Sequence, residues 1–173
     1  GSGTGAGQKG LSITQQIERA KDRIARRFKT NKLLAYFQSY TNTYAPIERL
    51  RAMYDEALAV ENVVGMAVGT RPDCVDDTKL GLLESYAREH LVWVEYGLQS
   101  AHDRTLVRIN RGHDVACFEK AVAATRGRNI KICAHVILGL PGESREDMLA
   151  TADFIAAMGL DGIKLHLLYV VQG

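Results

Sequence analysis

Apolar positions along this chain alternate between two periods. Ile13, Ile17, Ala20, Ile24 and Phe28 recur at helical spacing and make one stripe. Ser12-Ile13-Thr14-Gln15 sits at its start in the pattern of a capping box. Leu33-Leu34-Ala35-Tyr36-Phe37 is then an unbroken apolar run that ends in polar Gln38-Ser39-Tyr40-Thr41, which predicts a buried strand opening into a loop. The cycle repeats. Pro46 suits a first helical turn, and Ile47, Leu50, Tyr54, Ala57 and Leu58 supply that helix's face. Residues 63–68 read as the next strand, ending in Gly69-Thr70-Arg71-Pro72-Asp73. Asp76 suits the cap of a helix carrying Leu80, Leu83 and Ala87. Residues 91–94 form a strand that runs into Glu95-Tyr96-Gly97-Leu98-Gln99-Ser100.

A polar connection over 102–113 leads to a helix capped by Asp114, with Phe118 and Val122 one turn apart. Residues 130–138 are the next strand, ending in Gly139-Leu140-Pro141-Gly142-Glu143. Ser144 and Asp147 suit the cap of the following helix, whose face is Met148, Ala152 and Ile155 and whose C-cap is Gly159. The last strand is expected over 163–168. Strand and helix therefore alternate throughout, and the strands are apolar on both faces, which predicts a parallel α/β sheet covered by helices. A doubly wound sheet and a partial (β/α) barrel both satisfy this pattern. In either, the polar and glycine-rich loops at the strands' C-terminal ends fall on one edge, where such proteins bind ligands.

A chain of 173 residues suffices for one domain with a real core. Its 22 basic and 20 acidic residues give no global field to attract nucleic acid. The local basic run Lys21, Arg23, Arg26, Arg27, Lys29 and Lys32 reads as the solvated face and C-terminal end of a helix; as an RNA patch it lacks an interleaved aromatic platform. No apolar run approaches the roughly 20 residues of a membrane span, and no basic segment followed by an apolar stretch opens the chain, so a cytoplasmic location is expected. The opening, 1–10, is Gly-rich and expected to be flexible; no GK[ST] follows it, which argues against a phosphate loop. The three cysteines, Cys74, Cys117 and Cys133, have no CxxC or tight cluster spacing, and Cys117 and Cys133 read as core-filling thiols.

Several segments together resemble the later half of a radical S-adenosylmethionine (radical SAM) domain. They are Val94-Glu95-Tyr96-Gly97-Leu98-Gln99-Ser100, Leu106 with Asn110-Arg111-Gly112-His113, and Gly139-Leu140-Pro141-Gly142-Glu143. The resemblance is to the branch shared by the Elongator catalytic subunit and the anaerobic coproporphyrinogen oxidases. Gly69-Thr70-Arg71-Pro72-Asp73-Cys74 and Gly162-Ile163-Lys164-Leu165-His166 bring it closest to the YhcC-like proteins. It implies a partial (β/α) barrel of parallel strands, a radical SAM core lacking its first strand, in a single domain over 1–173. The implied activity uses a [4Fe–4S] cluster and S-adenosylmethionine to generate a 5′-deoxyadenosyl radical that attacks a substrate the sequence does not name.

The same resemblance implies roles for individual residues. Gln99 would hydrogen-bond the cofactor ribose, and Arg111 would pair with its carboxylate, for which an Arg fork is better shaped than a Lys. Glu95 would bind ribose hydroxyls or the ammonium group, or buttress Arg111. His135 stands where porphyrin-branch relatives carry an acidic residue. The turn of Gly139, Leu140 and Pro141 would lie against adenine, and Ser39 and Thr41 match the region that meets the methionine amino group. Each position also has a structural reading: Glu95 and Arg111 as an ion pair, His135 and His166 as satisfied core histidines, the Gly139 turn as a plain strand–helix connection, and His113 as a turn or capping residue.

The family's CxxxCxxC cluster motif is absent, so no metal ligands are assigned and no cluster is expected on this chain. Gly1-Ser2-Gly3-Thr4-Gly5 resembles the stretch that follows the cluster loop in relatives, which leads us to expect a boundary just downstream of that loop and a chain inactive by itself. A cluster-less module that binds S-adenosylmethionine without catalysis is one rival. An RNA-binding accessory of a tRNA-modification system, using the basic helix, is the other. A small-molecule cofactor is the expected partner. With strand one missing, self-association through the exposed sheet edge near Leu33 is also expected.

Overall fold

The computed structural model describes residues 10–169. The first helix, α1 (Ile13–Phe28), starts at the expected capping box: the Gln15 amide donates to Ser12 Oγ at 3.2 Å and the Ser12 amide to Gln15 Oε1 at 3.1 Å. Alternating elements follow: β1 (Leu33–Phe37), α2 (Ile47–Leu58), β2 (Val63–Thr70), a 3₁₀ turn (Pro72–Cys74), α3 (Asp77–Tyr86), β3 (Leu91–Gln99), α4 (Asp103–Arg108), α5 (Val115–Thr125), β4 (Lys131–Leu138), α6 (Arg145–Ala157) and β5 (Gly162–Leu167). Asp76 accepts from the Lys79 amide and Asp114 from the Cys117 amide, while Ser144 and Asp147 form a reciprocal box. Each such cap satisfies an amide that the helix start would otherwise leave unpaired.

The strands are all parallel and lie in the order β1-β2-β3-β4-β5, each beside its sequence neighbour. A doubly wound sheet reverses its strand order part-way. This one winds a single way and curls, giving a half-barrel with helices outside. Among the described residues, β1 and β5 are the edges. The core lies between sheet and helices, around Leu50, Tyr54, Met66, Val68, Leu83, Val94, Tyr96 and Phe118.

Four details differ from the expectation. The strands β2 and β3 run on through polar residues to Thr70 and Gln99, because ladder pairing with the next strand continues there. The connection after β3 contains a short helix, α4, whose Leu106 is buried. On α6 the buried position is Thr151 rather than Ala152; its hydroxyl accepts from the Ala101 amide, so a polar residue sits satisfied under the helix. Only the three central strands are covered on both faces. The edges β1 and β5 alternate, leaving Leu34, Leu165 and Leu167 exposed. The basic residues of α1 are in part engaged: Lys21 pairs with Glu18 and Glu61, and Arg27 lies over the Phe28 ring. No described helix is long and apolar enough to cross a membrane. The Gly-rich opening over 1–9 lies outside the described residues.

Candidate functional site

Pairing register sets the site. Gly69 lies opposite Glu95, Gly97 opposite His135, and His135 opposite Lys164, which places these positions on the inner face near the strand ends. There the wall encloses a cleft of about 430 Å³, lined by Tyr36, Tyr40, Thr41, Gly69, Thr70, Arg71, Glu95, Gly97, Gln99, Arg111 and His135. Glycine at 69 and 97 leaves room for it.

Two backbone devices aim side chains into this cleft. At the end of β3 a bulge falls between Gly97 and Gln99, and Gln99 adopts a left-handed φ of 76°, a conformation that non-glycine residues rarely hold. The second device ends α4. Asn110 sits at φ 51° with its amide on Val107 O, and the Arg111 amide reaches back to Leu106 O, which is a Schellman turn. The turn throws Arg111 back over the sheet, where Nε and Nη2 both donate to Gly97 O, at 3.3 and 2.9 Å. His113 Nε2 lies 3.1 Å from the same carbonyl.

Among the described residues Arg111 forms no ion pair. Burial, with Arg71 close by, pulls its pKa down. Arg71, by contrast, is spent on Asp73, through Nε at 2.8 Å and Nη2 at 2.5 Å. The cleft therefore holds one guanidinium with no carboxylate of its own.

Glu95 forms the floor. It is 8% exposed, and its Oε2 accepts from Tyr36 Oη at 2.6 Å, His135 Nε2 at 2.6 Å and Lys164 Nζ at 3.0 Å. Burial alone would raise its pKa, but the three donors hold the carboxyl down at about 2. Lys164 also donates to the Tyr36 hydroxyl at 2.7 Å and lies over its ring, 4.4 Å from the centroid. Burial opposes its charge, and Tyr36 and Glu95 more than restore it. Glu95 Oε1 has no hydrogen-bond partner among the described residues. Since no buried side-chain polar atom lacks one, Oε1 is accessible to solvent.

The sequence-chosen residues thus divide. Thr41, Glu95, Gln99, Arg111 and His135 line one cleft. Ser39 lies instead along an apolar groove between α1 and β1. Gly139, Leu140 and Pro141 do not line the cleft; their turn is tied to α6 through Met148 and to α4 through Arg108. Glu95 and Arg111 do not pair with each other. Sequence reasoning missed Tyr36 and Lys164 as members of the site. The available signal was a lysine between Ile163 and Leu165, and a lone phenol in an otherwise apolar strand.

These positions belong to a chain that matches the Radical SAM superfamily over residues 6–155. The chain belongs to the radical SAM superfamily. It is 47% identical over 167 residues to Protein YhcC of Escherichia coli, covering 96% of this chain and 53% of that protein. The chain thus spans about half the length of this relative. In structure it resembles archaeal Elp3 of Methanocaldococcus infernus, with a TM-score of 0.72 at 21% identity over 93% of this chain and 42% of that one. It also resembles coproporphyrinogen III oxidase (HemN) of Escherichia coli, a radical SAM enzyme, with a TM-score of 0.62 at 17% identity over 91% of this chain and 38% of that one. At those identities the structures speak to the fold: the radical SAM half-barrel.

The superfamily implies two groups, and the donor sets respond differently to them. S-adenosylmethionine carries a carboxylate, an ammonium and ribose hydroxyls. Arg111 with no carboxylate partner among the described residues, the unpartnered Glu95 Oε1, the Gln99 amide and the space above Gly97 fit it. A [4Fe–4S] cluster needs three convergent thiolates. The three cysteines lie on separate elements, and among the described residues no trio of His, Cys, Asp or Glu is placed to hold a metal. The cluster does not fit the described residues, and no step is assigned to it.

Proposed function

We propose that the strand-end cleft binds S-adenosylmethionine and that this half-barrel is the cofactor-holding part of a radical SAM enzyme. The observation that carries the reading is the half-buried Arg111 fork, which has no carboxylate partner among the described residues and is fixed on the wall by Gly97 O. The remaining valences of the guanidinium suit the cofactor carboxylate. Thr41 lies across the cleft for the amino end, and Gln99, held at its bulge, offers an amide to a ribose hydroxyl. Glu95 stays ionised and supplies an acceptor through Oε1. When bound together with a cluster, the cofactor supplies one-electron cleavage of a carbon–sulfur bond and removal of hydrogen from a substrate. This chain's residues bind and orient it.

The isolated cysteines favour a second reading for the chain by itself, a module that binds the cofactor without cleaving it. Calorimetric titration with S-adenosylmethionine tests the shared claim. Binding is expected, and Arg111→Ala is expected to weaken it about 10–100-fold, the equivalent of one charge-assisted hydrogen bond. No binding, or equal affinity in the variant, refutes the assignment. Anaerobic reconstitution of the chain extended by a CxxxCxxC loop separates the two readings: release of 5′-deoxyadenosine identifies the enzyme.

A further inference from the structure

Two guanidiniums line the cleft, and they are not equivalent. Arg71 lies close enough to Arg111 to disfavour its charge, next after burial. Arg71 stands where β2 gives way to the 3₁₀ turn. The turn's first residue, Pro72, is buried and sets the backbone so that Asp73 faces back towards Arg71. Arg71 Nε and Nη2 then donate to the two oxygens of that carboxylate, one each. The turn is pinned twice more. The Cys74 amide donates to Arg71 O at 3.1 Å, and the buried Thr43 hydroxyl donates to Cys74 O at 2.7 Å. Arg71 Nη2 also reaches Gly112 O at 3.4 Å, beside Arg111 in the chain.

Charge at this end of the cleft follows from these bonds. Arg111 and Arg71 are both cations, and Asp73 cancels the second of them. The bond from Arg71 holds the Asp73 carboxyl below its usual range, so it is ionised at neutral pH. Burial pushes His113 down and the Cys74 thiol up, which keeps both uncharged there. One positive charge is therefore left in excess around Arg111. S-adenosylmethionine carries one carboxylate but two cationic groups, an ammonium and a sulfonium, and is a net cation. Such a ligand gains from one guanidinium and loses from a second.

We propose that Asp73 sets the charge specificity of the cleft: by locking Arg71 it leaves one guanidinium for one carboxylate, and so admits a ligand that is itself a net cation. Asp73 acts through Arg71 and is a positioning residue. Without the lock the same wall would present two free guanidiniums side by side and favour ligands with two negative charges. The inference rests on the reading that this cleft binds S-adenosylmethionine.

Paired calorimetric titrations with S-adenosylmethionine and S-adenosylhomocysteine test it. The second compound lacks the methyl group and with it the sulfonium charge. The quantity read is the ratio of the two affinities, which a general loosening of the wall leaves unchanged because it weakens both. Asp73→Asn keeps the side chain's shape and is expected to shift the ratio about two- to fivefold towards S-adenosylhomocysteine, the size of one screened charge at the cleft edge. Arg71→Gln leaves Asp73 unbalanced and is expected to shift it the other way. The double variant restores the charge balance and should return near the wild-type ratio. A ratio that does not move, or single variants that shift it in the same direction, overturns the proposal. Should Asp73→Asn fail to fold, Arg71→Gln decides alone, and a ratio unmoved or shifted towards S-adenosylhomocysteine overturns it. A wild-type chain that binds neither compound removes the reading of the cleft and this inference with it, whereas binding of both with an unmoved ratio removes this inference only.

Discussion

Lys164 Nζ on the last strand lies 2.7 Å from the Tyr36 hydroxyl on the first. The two residues are 128 positions apart, and neither strand pairs with the other. They meet because the sheet curls, and both reach the one oxygen of Glu95 on the central strand. The contact ties both edges of the half-barrel to its floor.

Removing either end of this tie should loosen the sheet. Lys164→Met keeps an apolar stem over the Tyr36 ring but deletes two charge-assisted bonds. Such bonds contribute roughly 1.5–3 kcal/mol, and the partial exposure of Lys164 discounts the loss to about 1–2 kcal/mol. Tyr36→Phe should cost about 1 kcal/mol. Because both share Glu95, the double variant should lose less than the sum of the two, by roughly 1 kcal/mol. Urea unfolding of the four chains measures this, and strict additivity would show that the network is not coupled.

Acid should act through Glu95. Its folded pKa is held at about 2 against an ordinary value of 4.5, so the proton prefers the unfolded chain. The stability it contributes is complete above the ordinary value and is lost as pH falls from there towards about 2. Asp147, also held at about 2 by the Ser144 amide and Arg104, adds a background slope in the same window. The informative comparison is therefore with Glu95→Gln, whose melting temperature should fall less steeply than the wild type's over that range. Parallel slopes would mean that the Glu95 network does not stabilise the fold.

Most of the architecture could be read from the sequence, and the reasons are local. The capping patterns at Ser12, Asp76, Asp114 and Ser144 are short-range signals, and each helix starts where they indicate. Apolar runs marked the strands but not their ends, because β3 continues through Glu95 and Gln99 under pairing from β4. What distinguished a barrel from a doubly wound sheet was strand order, a long-range property that periodicity does not carry. The same limit applies to the site. Glu95, Gln99 and Arg111 stood out because the resemblance to the radical SAM domain carried cofactor roles onto them. Tyr36 and Lys164 did not, since their function as partners exists only once the sheet has curled. The Gly139 turn was assigned to the site by the resemblance alone, and its hydrogen bonds with side chains run to α4 and α6.

The cysteines give a prediction about iron. Cys133 is buried in the inner wall, where desolvation pushes its thiol up to about 11, and burial also raises Cys74 and Cys117. Iron ligation requires thiolates that converge, and these are protonated and separate. Anaerobic treatment of this chain with iron and sulfide should leave well under one cluster per chain. A reproducible charge-transfer band with about four irons per chain would contradict this.

Gly97 offers the sharpest separation of folding from binding. Its backbone φ is not in the left-handed region, so the position does not need glycine for conformation. It needs glycine for space: a Cβ there would overlap both Arg111 Nη2 and Gln99 Nε2, the ends of two flexible side chains rather than backbone. Gly97→Ala should therefore fold, with a change in stability of about 1 kcal/mol or less, since the displaced groups can swing into the cleft and alanine suits a strand better than glycine. Those are the groups proposed to hold the cofactor, and moving the Arg111 fork off Gly97 O removes its preset geometry. Affinity for S-adenosylmethionine should drop at least about tenfold, a loss of roughly 1.4 kcal/mol. Paired calorimetric and urea measurements on the same sample decide the matter. A variant that binds like wild type would show that Arg111 and Gln99 do not need this cradle, and one that fails to fold would show that Gly97 serves the barrel rather than the ligand.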